Sequence, residues 1–363
     1  MLLLILTFVA TATTQDEFTT DELLKLLKDP EASTRSDAAM ALGEKRDRLA
    51  IPALMVALKD EALAVRGSAA WALGEYRDPA LGKHLTPLLK DADPDVRAAA
   101  CEGVGTSGDK EQLPTLKEMV KDPAAVVRAA AAWAVGELGG PEDAPAVRPL
   151  LKDSDPEVRS NAAESLGLLR DSDSAAAILA LAADPEAVVR ASAAWTLGRL
   201  RAPDSLDTVF RLAEDSAPDV RKAAIEALVQ LKPVKGLEKI EARLKDSEQD
   251  VRATAAWALG ELDSKASIPK LAELALDKSS EPHARSTAVE SLGVLGDAKA
   301  LPTLISALDD THTVRLFDSN GQPKLRSIQQ VAIEALERVT GEKREGSGSY
   351  EIAEAWRKWY RER

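Results

Sequence analysis

Apolar and polar positions along this chain repeat on two scales. The short scale is helical. In VRGSAAWALGEY (65–76) the apolar residues Val65, Ala69, Ala72, Leu73 and Tyr76 fall at −1, +3, +6, +7 and +10 from Arg66. At 100° per residue they form one stripe, so the segment predicts an amphipathic helix. A shorter apolar segment, IPALMVALKD (51–60), precedes it and predicts a partner helix. The turn between two such helices typically reads as in Asp91-Ala-Asp-Pro-Asp-Val-Arg97, where Asp or Ser can cap the second helix and Pro suits its first turn.

The long scale is a repeat. Asp29, Asp60, Asp91, Asp122, Asp153, Asp184, Asp215, Asp246 and Asp277 are each separated by 31 residues. Six residues after the first eight stand Arg35, Arg66, Arg97, Arg128, Arg159, Arg190, Arg221 and Arg252. The ninth repeat carries two extra residues before Arg285, and the tenth has Asp310 with Gln329 at the arginine position. A glycine eight residues past the arginine (Gly43, Gly74, Gly105, Gly136, Gly167, Gly198, Gly260, Gly293) lies near the helix end, where it permits close approach or loosens the last turn. One helix pair cannot bury its own stripe. About ten stacked pairs can, and they predict a structure on the order of 100 Å long in place of two or three globules.

Composition agrees with this picture. Aromatic residues are only 4% of the chain although 45% of it is hydrophobic, so the cores are thin and built from Ala, Leu and Val. A net charge of −13 argues against a nucleic-acid groove. The lone Cys101 excludes a disulfide framework, and His84, His283 and His312 leave little material for a metal centre. No nucleophile–base constellation or phosphate-cradling loop emerges, so catalysis, cofactor and metal are not expected, and Cys101 reads as a packing residue.

These motifs resemble the HEAT-repeat family, in particular its short phycobilisome-lyase-type (E–Z) units. The resemblance covers roughly 20–341. It rests on Pro52, Pro114, Pro145, Pro269 and Pro302 in first helices, the Asp ending them, Val-Arg opening the second helix and Ala-Leu-Gly closing it. It implies an all-α fold, a right-handed α-solenoid (superhelix) of two-helix repeats over 18–341. It also implies a structural ladder between neighbouring repeats, built from Asp60, Arg66, Asp91, Arg97, Asp122, Arg128, Asp153, Arg159, Asp184, Arg190, Asp215, Arg221, Asp246 and Arg252. The family includes bilin lyases, iron hydroxylases, DNA-repair proteins and scaffolds. No histidine here is followed by Glu, against the hydroxylases, and a basic groove is lacking.

One position alternates with a double period. Five residues past the arginine stand Trp71, Glu102, Trp133, Glu164, Trp195, Glu226, Trp257 and Glu290, with Met40 before and Glu334 after. The row lies roughly 140° from the centre of the core stripe, and the resemblance places it on the concave face. Small neighbours such as Ala129, Ala132 and Gly136 around Trp133 could leave an indole face accessible. Two readings stay open. The row recognises a protein or peptide with basic segments, or a glycan; or the indoles fill space over small residues and the alternation records packing or a two-repeat duplication.

The ends differ from the repeats. Residues 2–12 read as the apolar region of a secretory signal peptide ending in Ala10-Thr11-Ala12, which predicts an exported, periplasmic or secreted protein; without export it is cytoplasmic. The run is too short to span a bilayer. Asn320-Gly321 predicts a small β-hairpin within 311–327. A linker at 342–349 leads to a helix over 350–363 whose apolar face includes Ile352, Trp356 and Trp359, expected to cap the array. The sequence therefore points to a monomeric, non-catalytic scaffold or adaptor. A lyase or lyase-chaperone subunit, or a regulatory subunit of a separate enzyme, is the alternative.

Overall fold

The computed structural model describes residues 18–317 and 323–363. The signal-like run 1–12 and the turn Asn320-Gly321 lie outside the described residues. The fold is all-α and solenoidal, with ten helix pairs, one two-stranded sheet and a last helix among the described residues. The chain divides into two compact units, one ending at Leu200 and one beginning at Arg201.

The first unit holds repeats 1 to 6. Their second helices are Ala32–Lys45, Leu63–Glu75, Pro94–Ser107, Ala125–Leu138, Pro156–Leu168 and Ala187–Arg199. Each packs on the next, and each also packs on the first helix of its own repeat. The expected stripe is the core: Val65, Ala69, Ala72 and Leu73 are completely buried. Tyr76 closes it, donating its hydroxyl to the Asp47 carbonyl at 2.8 Å. Burial pushes that phenol up to about 12. Asp93 and Asp155 cap second helices through their side chains, and Pro94 and Pro156 follow as the first helical residues. A second set of caps starts the first helices: Asp47, Asp78 and Asp109 accept from the backbone N–H two residues on. Cys101 is fully buried, and burial pushes its thiol up, away from reactive thiolate character.

The second unit holds repeats 7 to 10, with second helices Pro218–Leu231, Gln249–Glu261, Pro282–Leu295 and Ile328–Thr340, again packed in order. The last is preceded by an antiparallel hairpin, β1 (Thr313–Phe317) and β2 (Pro323–Ser327), with Val314 opposite Arg326 and Arg315 opposite Leu325. Ser327 and Gln330 form a reciprocal capping box that restarts the helix. The final helix, Ser349–Arg361, packs on Ile328–Thr340. Ala353 and Trp356 are completely buried in it, and the Arg344 guanidinium from the preceding segment lies 4.8 Å from the Trp356 ring and 5.3 Å from that of Trp359.

The periodic glycine does not end the helices. The left-handed residue that stops them falls three residues later. It is glycine at Gly108 and Gly296 but Arg46, Arg77, Arg170, Arg201, Lys232 and Asp263 elsewhere, with φ between 49° and 56°, except in the fourth repeat, where Gly139 is extended. The glycine eight past the arginine is instead a point of close helix approach. A Cβ on Gly74 would lie 2.7 Å from Gly103 Cα, and one on Gly136 would lie 2.8 Å from Ser165 Cα.

Candidate functional site

Two periodic sets of polar side chains occupy the second helices. The first joins repeats. Arg66 Nε and Nη2 donate to the two carboxylate oxygens of Asp91 at 2.8 and 3.0 Å, while Nη1 donates to the carbonyls of Asp60 and Glu61 at 3.0 and 3.1 Å. Each arginine therefore grips its own interhelical loop and the aspartate of the next repeat. The same pattern holds for Arg35–Asp60, Arg97–Asp122, Arg128–Asp153 and Arg159–Asp184 in the first unit. In the second unit Arg221 donates to Asp246 at 2.8 and 2.5 Å. Arg190 grips the carbonyls of Asp184 and Pro185, and Asp215 accepts from the Ala217 N–H. The aspartates also accept a backbone N–H two residues on, as Asp91 does from Asp93. Both carboxylate oxygens are engaged in holding shape, and the Arg66 hydrogen bond holds the Asp91 carboxyl below the usual range.

The ladder departs from its expected regularity at Arg252. This residue keeps its loop carbonyls, on Asp246 and Ser247, but its Nε is buried without a hydrogen-bond partner. The Asp277 carboxylate is turned instead to Ser279 and Ser280. The cause is the two-residue insertion that follows Asp277. Ladder geometry resumes with Arg285, which donates through Nε to Asp310 at 2.9 Å. Asp310 additionally accepts from Lys278 at 2.8 Å and lies 2.7 Å from His312 Nδ1, two partners not foreseen from sequence.

The second set is the Trp/Glu row. Trp71, Glu102, Trp133, Glu164 and Trp195 lie in the first unit and are all half-buried; Glu226, Trp257 and Glu290 lie in the second. The three tryptophans of the first unit share one seat. The Cζ3 edges of Trp71, Trp133 and Trp195 would be 3.1, 2.8 and 3.0 Å from a Cβ added at Gly43, Gly105 and Gly167. Each indole edge thus lies over the periodic glycine of the preceding repeat. The small residue in the preceding repeat seats the ring edge, while each of these indoles is half-buried. Glu164 is tied inward, accepting from Ser192 Oγ at 2.6 Å, which in turn contacts Ser160 Oγ at 2.7 Å. Burial pushes the Glu102 carboxyl up. Trp195 carries a cation as well: the Arg199 guanidinium lies 5.3 Å from its ring centroid.

Trp257 is different. The position equivalent to those seats is Val229, the one position among repeats 1 to 9 where the glycine is replaced. The equivalent position for Trp257 carries a valine side chain where the other seats have glycine, and Trp257 is 38% exposed. Around it by position stand Glu261 one turn on, and Glu226 and Glu290 at the same register on the two flanking helices. Glu261 and Glu290 are exposed, and Glu226 is half-buried. Val294, one turn past Glu290, is also exposed. Sequence reading placed the row but missed this distinction, although the interruption of the glycine series at Val229 was there to signal it.

Among the described residues no group of three or more His, Cys, Asp or Glu could hold a metal ion, and no helix is long and apolar enough to cross a membrane.

Comparison with known proteins follows the fold. A family model described as HEAT repeats matches residues 20–91, 82–167, 144–195, 175–251 and 237–316. No curated protein matches the sequence. Among solved structures, the chain is similar to the complex of CpcE and CpcF of phycocyanin lyase from Nostoc sp. PCC7120, at 22% identity and a TM-score of 0.48, over 71% of this chain and 98% of that one. It is similar to YibA of E. coli at 18% identity and a TM-score of 0.52, over 72% of this chain and 92% of that one. It is also similar to a chain from the structure of Kap95p with RanGDP, at 14% identity and a TM-score of 0.56, over 93% of this chain and 53% of that one. The last two likenesses show the fold.

Proposed function

Since the chain belongs to the HEAT-repeat family, we propose that it is a non-catalytic scaffold that holds another protein against the row-bearing face of its second helices. The observation that carries the reading is Trp257, more than a third exposed in a row whose other tryptophans are seated. Trp257 is exposed with Glu226, Glu261 and Glu290 at neighbouring positions, and Trp is enriched where partners anchor. The ladder supports the same reading from the other side. Its guanidinium and carboxylate groups are consumed in fixing one repeat to the next, which leaves a stiff surface and no spare acid–base pair.

Face-selective photocrosslinking tests this. A photoreactive amino acid at position 290, on the row, or at 261, one turn past Trp257, is compared with one at position 49 or 56, where Leu49 and Val56 are exposed on first-helix segments. In native extract, the row positions are expected to give a discrete protein adduct and the first-helix positions none. Equal labelling from both faces, or no protein adduct from the row, would overturn the proposal.

A further inference from the structure

We infer that the Trp257 face takes a basic, extended segment of its partner, with one arginine or lysine head lying on the indole. This rests on the protein-binding reading above and names the ligand chemistry. The molecule contains its own template for the contact. In repeat 6 the residue one turn past the row tryptophan is Arg199, and its guanidinium lies 5.3 Å from the Trp195 centroid. In repeat 8 the equivalent residue is Glu261. The ring surface that an internal cation covers at Trp195 is left without one at Trp257, and a carboxylate stands where the cation's own stem would be. Glu226 and Glu290 stand at the same register on the neighbouring helices, so a cation arriving from outside meets an indole face with three carboxylates at neighbouring positions. Lys222, one turn before Glu226, is the nearest basic residue by position on that helix. The overall charge of −13 adds long-range attraction for a basic segment.

Val229 makes the arrangement specific to this repeat. With glycine there, the Trp257 edge would fold in as Trp133 does over Gly105. With valine there, the ring stays out and available.

The test is a titration of the full chain with an extended peptide of alternating arginine and glycine, followed by calorimetry. The same peptide with citrulline in place of arginine serves as the neutral isostere. The arginine peptide is expected to bind roughly tenfold more tightly than the citrulline peptide. Trp257→Ala should lose roughly tenfold for the arginine peptide. The pair Glu261→Gln with Glu290→Gln should weaken binding and flatten its dependence on salt. Val229→Gly should weaken it too, by letting the indole retract, with circular dichroism unchanged. Equal binding of both peptides, or wild-type affinity in Trp257→Ala, would overturn the inference. So would saturable binding of a neutral oligosaccharide that competes at Trp257, since that assigns the ring to sugar stacking. If row-specific crosslinks form while no arginine peptide binds, the scaffold reading stands and the basic-segment inference falls.

Discussion

Asp310→Ala is expected to destabilise the second unit by about 3–5 kcal/mol, measured as the shift in urea midpoint followed by circular dichroism. The Asp310 side chain is 1% exposed and that of Arg285 is 3% exposed, so the substitution leaves a guanidinium buried with no carboxylate. It also frees Lys278 and His312, whose bonds to Asp310 tie the ninth repeat and the base of the hairpin to one point. Replacing both partners, Asp310→Leu with Arg285→Met, removes the orphaned charge and should recover most of the loss. The effect has a defined pH dependence. Burial alone would raise the Asp310 carboxyl, but Lys278, His312 and Arg285 together hold it well below the usual carboxylate range. A depressed carboxylate contributes fully above its unfolded value, about pH 4, and loses that contribution as pH falls through its folded value. The gap between wild type and Asp310→Ala should therefore be constant from pH 5 to 7 and narrow below about pH 4. A loss under about 1 kcal/mol at pH 7 would show the pair to be dispensable.

Two glycines in neighbouring helices are expected to respond with opposite signs to the same change. Gly103→Ala should cost about 2–3 kcal/mol, because the added Cβ would sit 2.5 Å from the carbonyl oxygen of Ala70 and 2.8 Å from Leu85 Cδ1. A backbone oxygen cannot move aside without moving its helix. Gly67→Ala meets only Ala99 Cβ, at 3.8 Å. It lies inside the helix Leu63–Glu75 and should stabilise by about 0.5–1 kcal/mol through reduced freedom of the unfolded chain. Thermal denaturation of the two variants checks both signs. A neutral Gly103→Ala would mean that the second helices of repeats 2 and 3 are not in backbone contact at Gly103, and a destabilising Gly67→Ala would mean that they approach more closely at Gly67 than this packing allows.

The repeat was legible because its signals are local and periodic. A 31-residue spacing, one apolar stripe and an Asp–Arg pair suffice to place the helix pairs, and Val65, Ala69, Ala72 and Leu73 are buried as their stripe requires. What escaped reading depends on contacts between repeats. The glycine eight past the arginine does lie near the helix end and is a point of close approach, one of its two expected roles, but the left-handed turn three residues on was not foreseen, since it falls on residues such as Arg77 and Arg170 that do not favour it. The indole edges of Trp71, Trp133 and Trp195 lie over the glycine 28 positions earlier, and for Trp257 that position is Val229. That dependence appears only once adjacent helices are in register. Arg252 lost its regular rung through an insertion after Asp277, and the cluster of Lys278 and His312 on Asp310 joins the same insertion to the hairpin base.

The central claim is that the row is a packed seam at Trp71, Trp133 and Trp195 and an open surface at Trp257. Fluorine NMR of the full chain carrying 5-fluorotryptophan tests it most directly, with each resonance assigned by a single Trp→Phe substitution. The account predicts that, of the four row tryptophans, Trp257 shows the largest solvent isotope shift between H2O and D2O, and that Val229→Gly reduces this shift toward that of Trp133. An isotope shift at Trp257 no larger than at Trp71, Trp133 and Trp195, or one unmoved by Val229→Gly, would contradict it.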